Sequence, residues 1–355
     1  MLLYITTFII SILSGHIAQC CENNKFAKYF YSVISIGSLV ILAGCRDITI
    51  GSDTVAYPMT VYNNAPNYEF SMIGLIEPLY GFLGYFVYTI GGDFNMLLFI
   101  THFIIVSAFY IGFWRLKNEV PIYMCMFLFC FLFFNISLQI SRQAIAVSLV
   151  FLGFTYLKEK QLKIFLFFIV LATLFHKSSL MAVLIIPFVF WKKTKFEYII
   201  IITCILMIFL YDYTLSHIAL LQGLDKLEAY GTGEDYEGKI SYSEFILRLF
   251  FLSFLFFKRK YKTDSKHILL MFIAELLINL LQIKSRFVGR AGMYLYILYL
   301  YYIPLYMKKS KMSSIMYNRW SIISFVIFYW WFVYIYGNAG ETYPYSSKIL
   351  ESILL

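Results

Sequence analysis

Apolar runs of about 15–21 residues recur from one end of this chain to the other, each close to the length a helix needs to cross a hydrocarbon layer. No other feature limits the fold so strongly. A bilayer core holds no water, so every backbone N–H and C=O there must be satisfied internally, which leaves α-helices or a closed β-barrel. A barrel would show short segments of alternating hydrophobicity, and none is visible. The 355 residues are 61% hydrophobic and 21% aromatic, with a mean hydropathy of +0.74. A soluble domain of this length would need far more polar surface. The expected fold is all-α, a polytopic integral membrane protein forming one domain over residues 1–355. The segment from Met1 to about Ala18 lacks a basic leader and a small-residue cleavage site, so it is expected to be a helix and not a removable signal.

The formal charge of +9 could suggest a nucleic-acid partner. The basic residues sit instead in short clusters between apolar runs, where they act as topology signals, and a nucleic-acid role is rejected. The six cysteines show no C-x-x-C spacing and read as small packing residues. No H-x-x-x-H or H-E-x-x-H pattern occurs, so neither a metal nor a cofactor is expected.

Helices are expected near 2–18, 29–45, 95–114, 120–136, 140–157, 161–175, 178–191, 197–211, 243–257, 267–283, 288–306 and 320–336. A further apolar segment, 74–90, carries Glu77, Pro78 and three glycines. If it is re-entrant or interfacial, six basic clusters fall on one side: Lys25/Lys28, Arg115/Lys117, Lys158/Lys160/Lys163, Lys192/Lys193/Lys195, Lys258–Lys266 and Lys308–Arg319. Together these hold most of the 29 Lys and Arg. The positive-inside rule then favours about 12 crossings with both termini outside. Outer loops are expected at 46–73 and 212–242.

The polar residues that do not serve topology then face one compartment. Arg142, Arg286 and Arg290 stand at helix entrances. Arg248 lies about six residues inside a helix, where a charge costs roughly 2.5–3.5 kcal/mol unless it faces a wet cavity or a partner; Glu275 is a candidate partner. Guanidinium groups hold phosphate oxygens with paired hydrogen bonds, and Lys177 could add a point charge. His176 can accept or donate a proton near neutral pH. Asp53 and Asp47 lie in the loop RDITIGSDT (46–54), where a carboxylate could deprotonate or orient a hydroxyl, although G-S-D-T also has the composition of a turn. Arg46 and Tyr57 beside them, with Tyr230 and Tyr236 in the acidic 212–242 loop, are candidate sugar contacts.

Several pieces, in order along nearly the whole chain, resemble the EpsG family, which includes Wzy-type O-antigen and capsule polymerases. They are R-D-x-x-I-G-S-D-T-x-x-Y (46–57), E-P-L-Y (77–80), I-G-G-D-F (90–94), S-R-Q-A-I-A-V (141–147), A-T-L-F-H-K-S-S-L (172–180), R-x-x-x-Y (290–294) and P-Y (344–345). The resemblance implies a GT-C-like glycosyltransferase in the bacterial plasma membrane. Its substrates would be oligosaccharide repeat units linked to undecaprenyl pyrophosphate, its active site would face outward, and a chain-length regulator could be a partner besides membrane lipids. Under that reading Arg142, Arg286, Arg290, Lys177 and Arg248 would hold the pyrophosphate, with His176 first and Asp53 second as base. A flippase of lipid-linked sugars and a ligase-like transferase remain open; the first would place charges along a path through the midplane.

Overall fold

The computed structural model of the protein describes residues 1–67, 77–206, 242–258, 265–283, 286–309 and 319–354. These are helical with short connections, and no strand occurs among them. The helices are α1 (Leu2–Cys20), α2 (Lys25–Gly44), α3 (Pro78–Thr89), α4 (Phe94–Arg115), α5 (Ile122–Gln139), α6 (Ser141–Lys158), α7 (Leu162–Phe175), α8 (Lys177–Trp191) and α9 (194–206), then α10 (Tyr242–Lys258), α11 (Ser265–Leu280), α12 (Arg286–Tyr296), α13 (Tyr299–Lys309), α14 (Arg319–Tyr336) and α15 (Lys348–Leu354). Five of them, α1, α2, α4, α5 and α14, are long and apolar enough to cross a membrane. The chain is a multi-pass membrane protein.

Local chemistry sets the helix boundaries. Asn24 accepts a hydrogen bond from Ala27 N at 3.1 Å to open α2, and Asp93 accepts from Met96 N at 2.8 Å to open α4; both satisfy donors that a helix start leaves orphaned. Inside the bundle α5 is almost wholly buried, with aromatic contacts from Phe129 and Phe133 to Phe109 of α4 and from Phe131 to Trp330 of α14. The outer faces carry exposed Phe30, Phe103, Phe167, Ile199 and Phe328. In water such a surface would be unstable, whereas against lipid it costs nothing. Gly44 lets α2 lie against Phe99 of α4, because a Cβ there would overlap the ring.

Hydrogen bonds sort the helix termini into two ends. At one, Gln19 donates to Lys117 O (3.3 Å), Arg115 Nε to Thr155 Oγ1 (2.8 Å), Lys160 Nζ to Phe190 O (3.0 Å) and Lys308 Nζ to Asn118 O (3.3 Å). Lys28 and Lys117 both lie over the Trp114 ring, and His267 meets Glu197 at 2.6 Å. Among the described residues this end gathers Lys28, Arg115, Lys117, Lys160 and Lys308. At the other, Tyr4 donates to Thr342 O (2.7 Å), Arg46 to Leu138 O (3.1 Å) and Gln143 to Arg290 O (3.0 Å).

Asn95, at the start of α4, donates to Gly44 O (2.8 Å) and Arg46 O (3.1 Å) at the end of α2. The chain between them therefore returns to the end it left. Both termini of α3 lie there too, since Glu77 meets His176 and Gly92 O accepts from Tyr62.

The candidate active site

A short loop and a tail build one wall of a cleft at the end opposite the lysines. In the loop, Thr54 Oγ1 donates to Ile50 O (2.7 Å) and Thr54 N to Gly51 O (2.9 Å). Gly51 has φ +91°, and a Cβ there would lie 2.5 Å from Leu138 O, so this bend requires glycine. The tail straps it: Gly51 N and Ser52 N donate to Glu341 O and Gly340 O (3.1 and 3.0 Å), and Asp47 N donates to Ser346 O (3.1 Å). The strapped loop then turns into a helical segment at Val55–Met59, which sets Asp53 and Tyr57 on the cleft wall.

Arg142 comes from the first turn of α6 and His176 from the break between α7 and α8, where φ −159° and ψ 118° end the helix in an extended residue. Glu77 reaches both. Its Oε1 accepts from His176 Nδ1 at 3.0 Å, its Oε2 pairs with Arg142 Nη1, and the Arg142 guanidinium lies over the Tyr57 ring at 3.9 Å. Glu77 is fixed because Pro78 starts α3 directly after it and its carbonyl accepts from Tyr80 N and Gly81 N. All three side chains are at least 85% shielded, with exposures of 11%, 15% and 11% for Glu77, Arg142 and His176. Burial alone would raise the carboxyl pKa of Glu77. The His176 hydrogen bond and the Arg142 charge outweigh it and hold Glu77 below the usual carboxylate range. With Nδ1 donating to a carboxylate, His176 keeps Nε2 for a second partner.

The cleft is narrow, about 20 Å³, and is lined by Asp53, Tyr57, Gln139, Arg142, Gln143, His176 and Arg290 among others. Across Gln139, Ile140, Gln143 and Arg290 it continues into a chamber of about 330 Å³. The combination can hold an anion beside a fixed guanidinium and offer an imidazole nitrogen to a hydroxyl proton.

Of the residues singled out from sequence, Asp53, Tyr57, Arg142, His176 and Arg290 come together here. Others do not. Arg46 is fully buried, donating to Ala43 O (3.0 Å) and Leu138 O (3.1 Å) beside His102; burial lowers its pKa to about 10, and it remains a cation that ties α2 to α5. It cannot touch a sugar in the cleft. Asp47 accepts from Lys348 N at 3.0 Å and so anchors the tail. Arg248 is clamped by Glu275 (2.7 Å) and Glu244 (3.1 Å) on the chamber wall, its charge already offset. Lys177 is exposed and does not line the cleft. Arg286 opens α12, but its side chain, like Tyr230 and Tyr236, lies outside the described residues. The sequence reading passed over Glu77 as a functional group; the available signal was an isolated carboxylate before proline in an otherwise apolar segment.

A family model described as the EpsG family matches residues 29–347, a stretch that contains every residue of the cleft. The chain belongs to the EpsG family. EpsG family members are Wzy-type polymerases, so a polysaccharide polymerase-type role of the glycosyltransferase class attaches to this protein. No curated protein and no solved structure matches the chain. The expected membership, drawn from motifs that include the Arg142 and His176 segments, thus agrees with the family match.

Proposed function

We propose that this EpsG protein extends a polysaccharide, either O-antigen or capsule/exopolysaccharide, on the outer face of the bacterial plasma membrane. It would transfer a growing glycan from undecaprenyl pyrophosphate to a hydroxyl of another carrier-linked repeat unit. The observation that carries the reading is the Glu77–His176–Arg142 cluster beside Arg290, at the end opposite the lysines. By the positive-inside rule the lysine-rich end is cytoplasmic, which puts the cleft outside. This reading keeps about 12 crossings, as the positive-inside count favours, and the GT-C-like arrangement that the family resemblance implies.

In this mechanism the bond between sugar C1 and the pyrophosphate oxygen breaks, and its electron pair leaves on undecaprenyl pyrophosphate. Arg142 and Arg290 meet the charge that builds on the leaving group, where fixed cations lower the barrier most, so the reaction is written without a metal. The acceptor hydroxyl attacks C1 from the opposite face while its proton passes to His176 Nε2, held in the right tautomer by Glu77. One such displacement inverts the anomeric centre. Glu77 occupies Arg142 Nη1 and so orients the guanidinium, whose other N–H donors remain to meet a pyrophosphate oxygen. An apolar groove of about 320 Å³, lined by Met181, Leu184, Ile200, Ile278 and Ala291, the residue after Arg290 in the chain, suits the prenyl chain. Holding both lipid-linked substrates side by side supplies the proximity contribution.

The test is a glycan gel from a strain lacking the protein, with and without its return. The reading expects long chains to vanish and single carrier-linked units to collect on the outer face. Persistence of long chains would overturn it. Units collecting on the inner face would mark a transporter, and carrier-linked polymer left unattached would mark a ligase.

A further inference from the structure

The 330 Å³ chamber beside the cleft lies within the range of small-molecule sites, and none of the roles above uses it. Six helices meet around it: α10 supplies Glu244 and Arg248, α11 supplies Asn279 with Gln282 just beyond its end, α5 and α6 supply Gln139 and Gln143, α12 supplies Arg290 and Met293, and α14 closes the far side. We propose that this chamber binds a pyranose ring of the carrier-linked glycan through its hydroxyl or acetamido groups, and sets which sugar the cleft next to it processes. The proposal rests on the polymerase reading for the identity of the ligand.

Charge decides the ligand class. Arg248 is the only cation deep in the chamber wall among the described residues, and two carboxylates hold it: Glu275 at 2.7 Å, itself fully buried, and Glu244 at 3.1 Å. With Arg290, which also lines the chamber, two cations stand against two carboxylates among the described residues. The wall carries no net charge and Arg248 is already neutralised, which suits a neutral sugar better than a phosphate. Arg290 stands at the boundary with the cleft, where an anion can be met. The amides fit the same ligand. Asn279 Nδ2 donates to Gln282 Oε1 at 3.2 Å, and the pair retains one carbonyl and one NH₂ to accept from and donate to adjacent hydroxyls. Met293, Val333 and Tyr334 give the opposite side an apolar surface suited to the C–H face of a ring. A wall that hydrogen-bonds a ligand's hydroxyls rejects analogues without them strongly, since its own polar groups are then left unpaired.

The test uses purified full-length protein in detergent and, as probe, the oligosaccharide repeat unit released from the strain's own polysaccharide by limited hydrolysis, carrying neither lipid nor phosphate. Saturation-transfer NMR reports binding. The wild-type protein and Arg142→Ala should bind the probe alike, while Asn279→Ala and Gln282→Leu should bind about tenfold more weakly, as expected for loss of one or two hydrogen bonds. Melting temperatures of the variants identify any that fail to fold, and Glu244→Gln, an isosteric change at a partly exposed carboxylate, provides a second route to the same weakening. Unchanged binding in the chamber variants, loss of binding in Arg142→Ala, or no binding by the wild type at millimolar probe would each overturn the proposal. The polymerase reading fails separately, if the deletion strain keeps its long chains. If that strain loses them while Asn279→Ala makes a normal ladder at limiting precursor, only the chamber assignment falls.

Discussion

Glu77→Gln is the most informative single change. The carboxylate gives one oxygen to His176 Nδ1 at 3.0 Å and the other to the Arg142 guanidinium. A hydrogen bond involving a charged group contributes roughly 1.5–3 kcal/mol when its partners are largely withdrawn from water, as these are. The amide keeps one acceptor oxygen and presents an NH₂ to whichever partner loses, so one of the two interactions becomes a donor facing a donor. The loss of about 2–3 kcal/mol from transition-state positioning corresponds to roughly 10²-fold in rate. If the amide turns its NH₂ toward the ring, His176 is held in the other tautomer and the rate falls further. The assay is the initial rate of chain extension in membranes containing a matched amount of each protein, judged by immunoblot. Glu77→Asp keeps the charge but shortens the reach, and should recover part of the rate. Wild-type extension by Glu77→Gln at wild-type abundance would refute the argument.

His176→Ala should lower extension by about 10²–10⁴-fold with little change in abundance, as for removal of a positioned base, measured in the same membranes. Gly51→Ala forces a side chain into φ +91° against Leu138 O. It should cost about 1–3 kcal/mol, seen as a lower melting temperature in detergent together with reduced activity. Arg46→Ala leaves the Ala43 and Leu138 carbonyls without their buried donor, a loss on the order of 2–3 kcal/mol. Its membrane abundance should fall while the surviving protein keeps its dependence on precursor concentration, whereas a sugar-binding role would raise that concentration. Because the Glu77 carboxyl is held below its ordinary 4.5, its contribution to stability is present above about pH 4.5 and is lost as pH falls through the lower folded value. Melting temperature against pH should show that loss in the wild type and lack the Glu77 part of it in Glu77→Gln.

The helices and their common polar end were legible because apolar period and lysine placement are local properties that one pass along the chain records. Arg248 illustrates how far this reaches: its depth in a helix demanded a partner, and Glu275 is that partner. The site's organising residue was not legible in the same way. Glu77 meets Arg142 and His176 across 65 and 99 positions, and no spacing rule connects contacts made only after three elements converge. Arg46 misled for a related reason. It opens a polar loop, and its composition gave no sign that the tail from Asn338 to Lys348 folds over that loop and seals the guanidinium inside. Asp47 likewise takes its role from Lys348, 301 positions away. Family membership rests on the order of motifs and therefore survives these errors about individual side chains.

Reconstitution gives the sharpest measurement. Purified protein in liposomes, supplied with isolated undecaprenyl-pyrophosphate-linked repeat units, should build a ladder of carrier-linked chains and release undecaprenyl pyrophosphate in equal number to the bonds formed. Arg142→Ala and His176→Ala protein of unchanged melting temperature should do neither. A ladder of normal length from either variant would contradict the assignment of this cleft as the place where the glycan changes carriers.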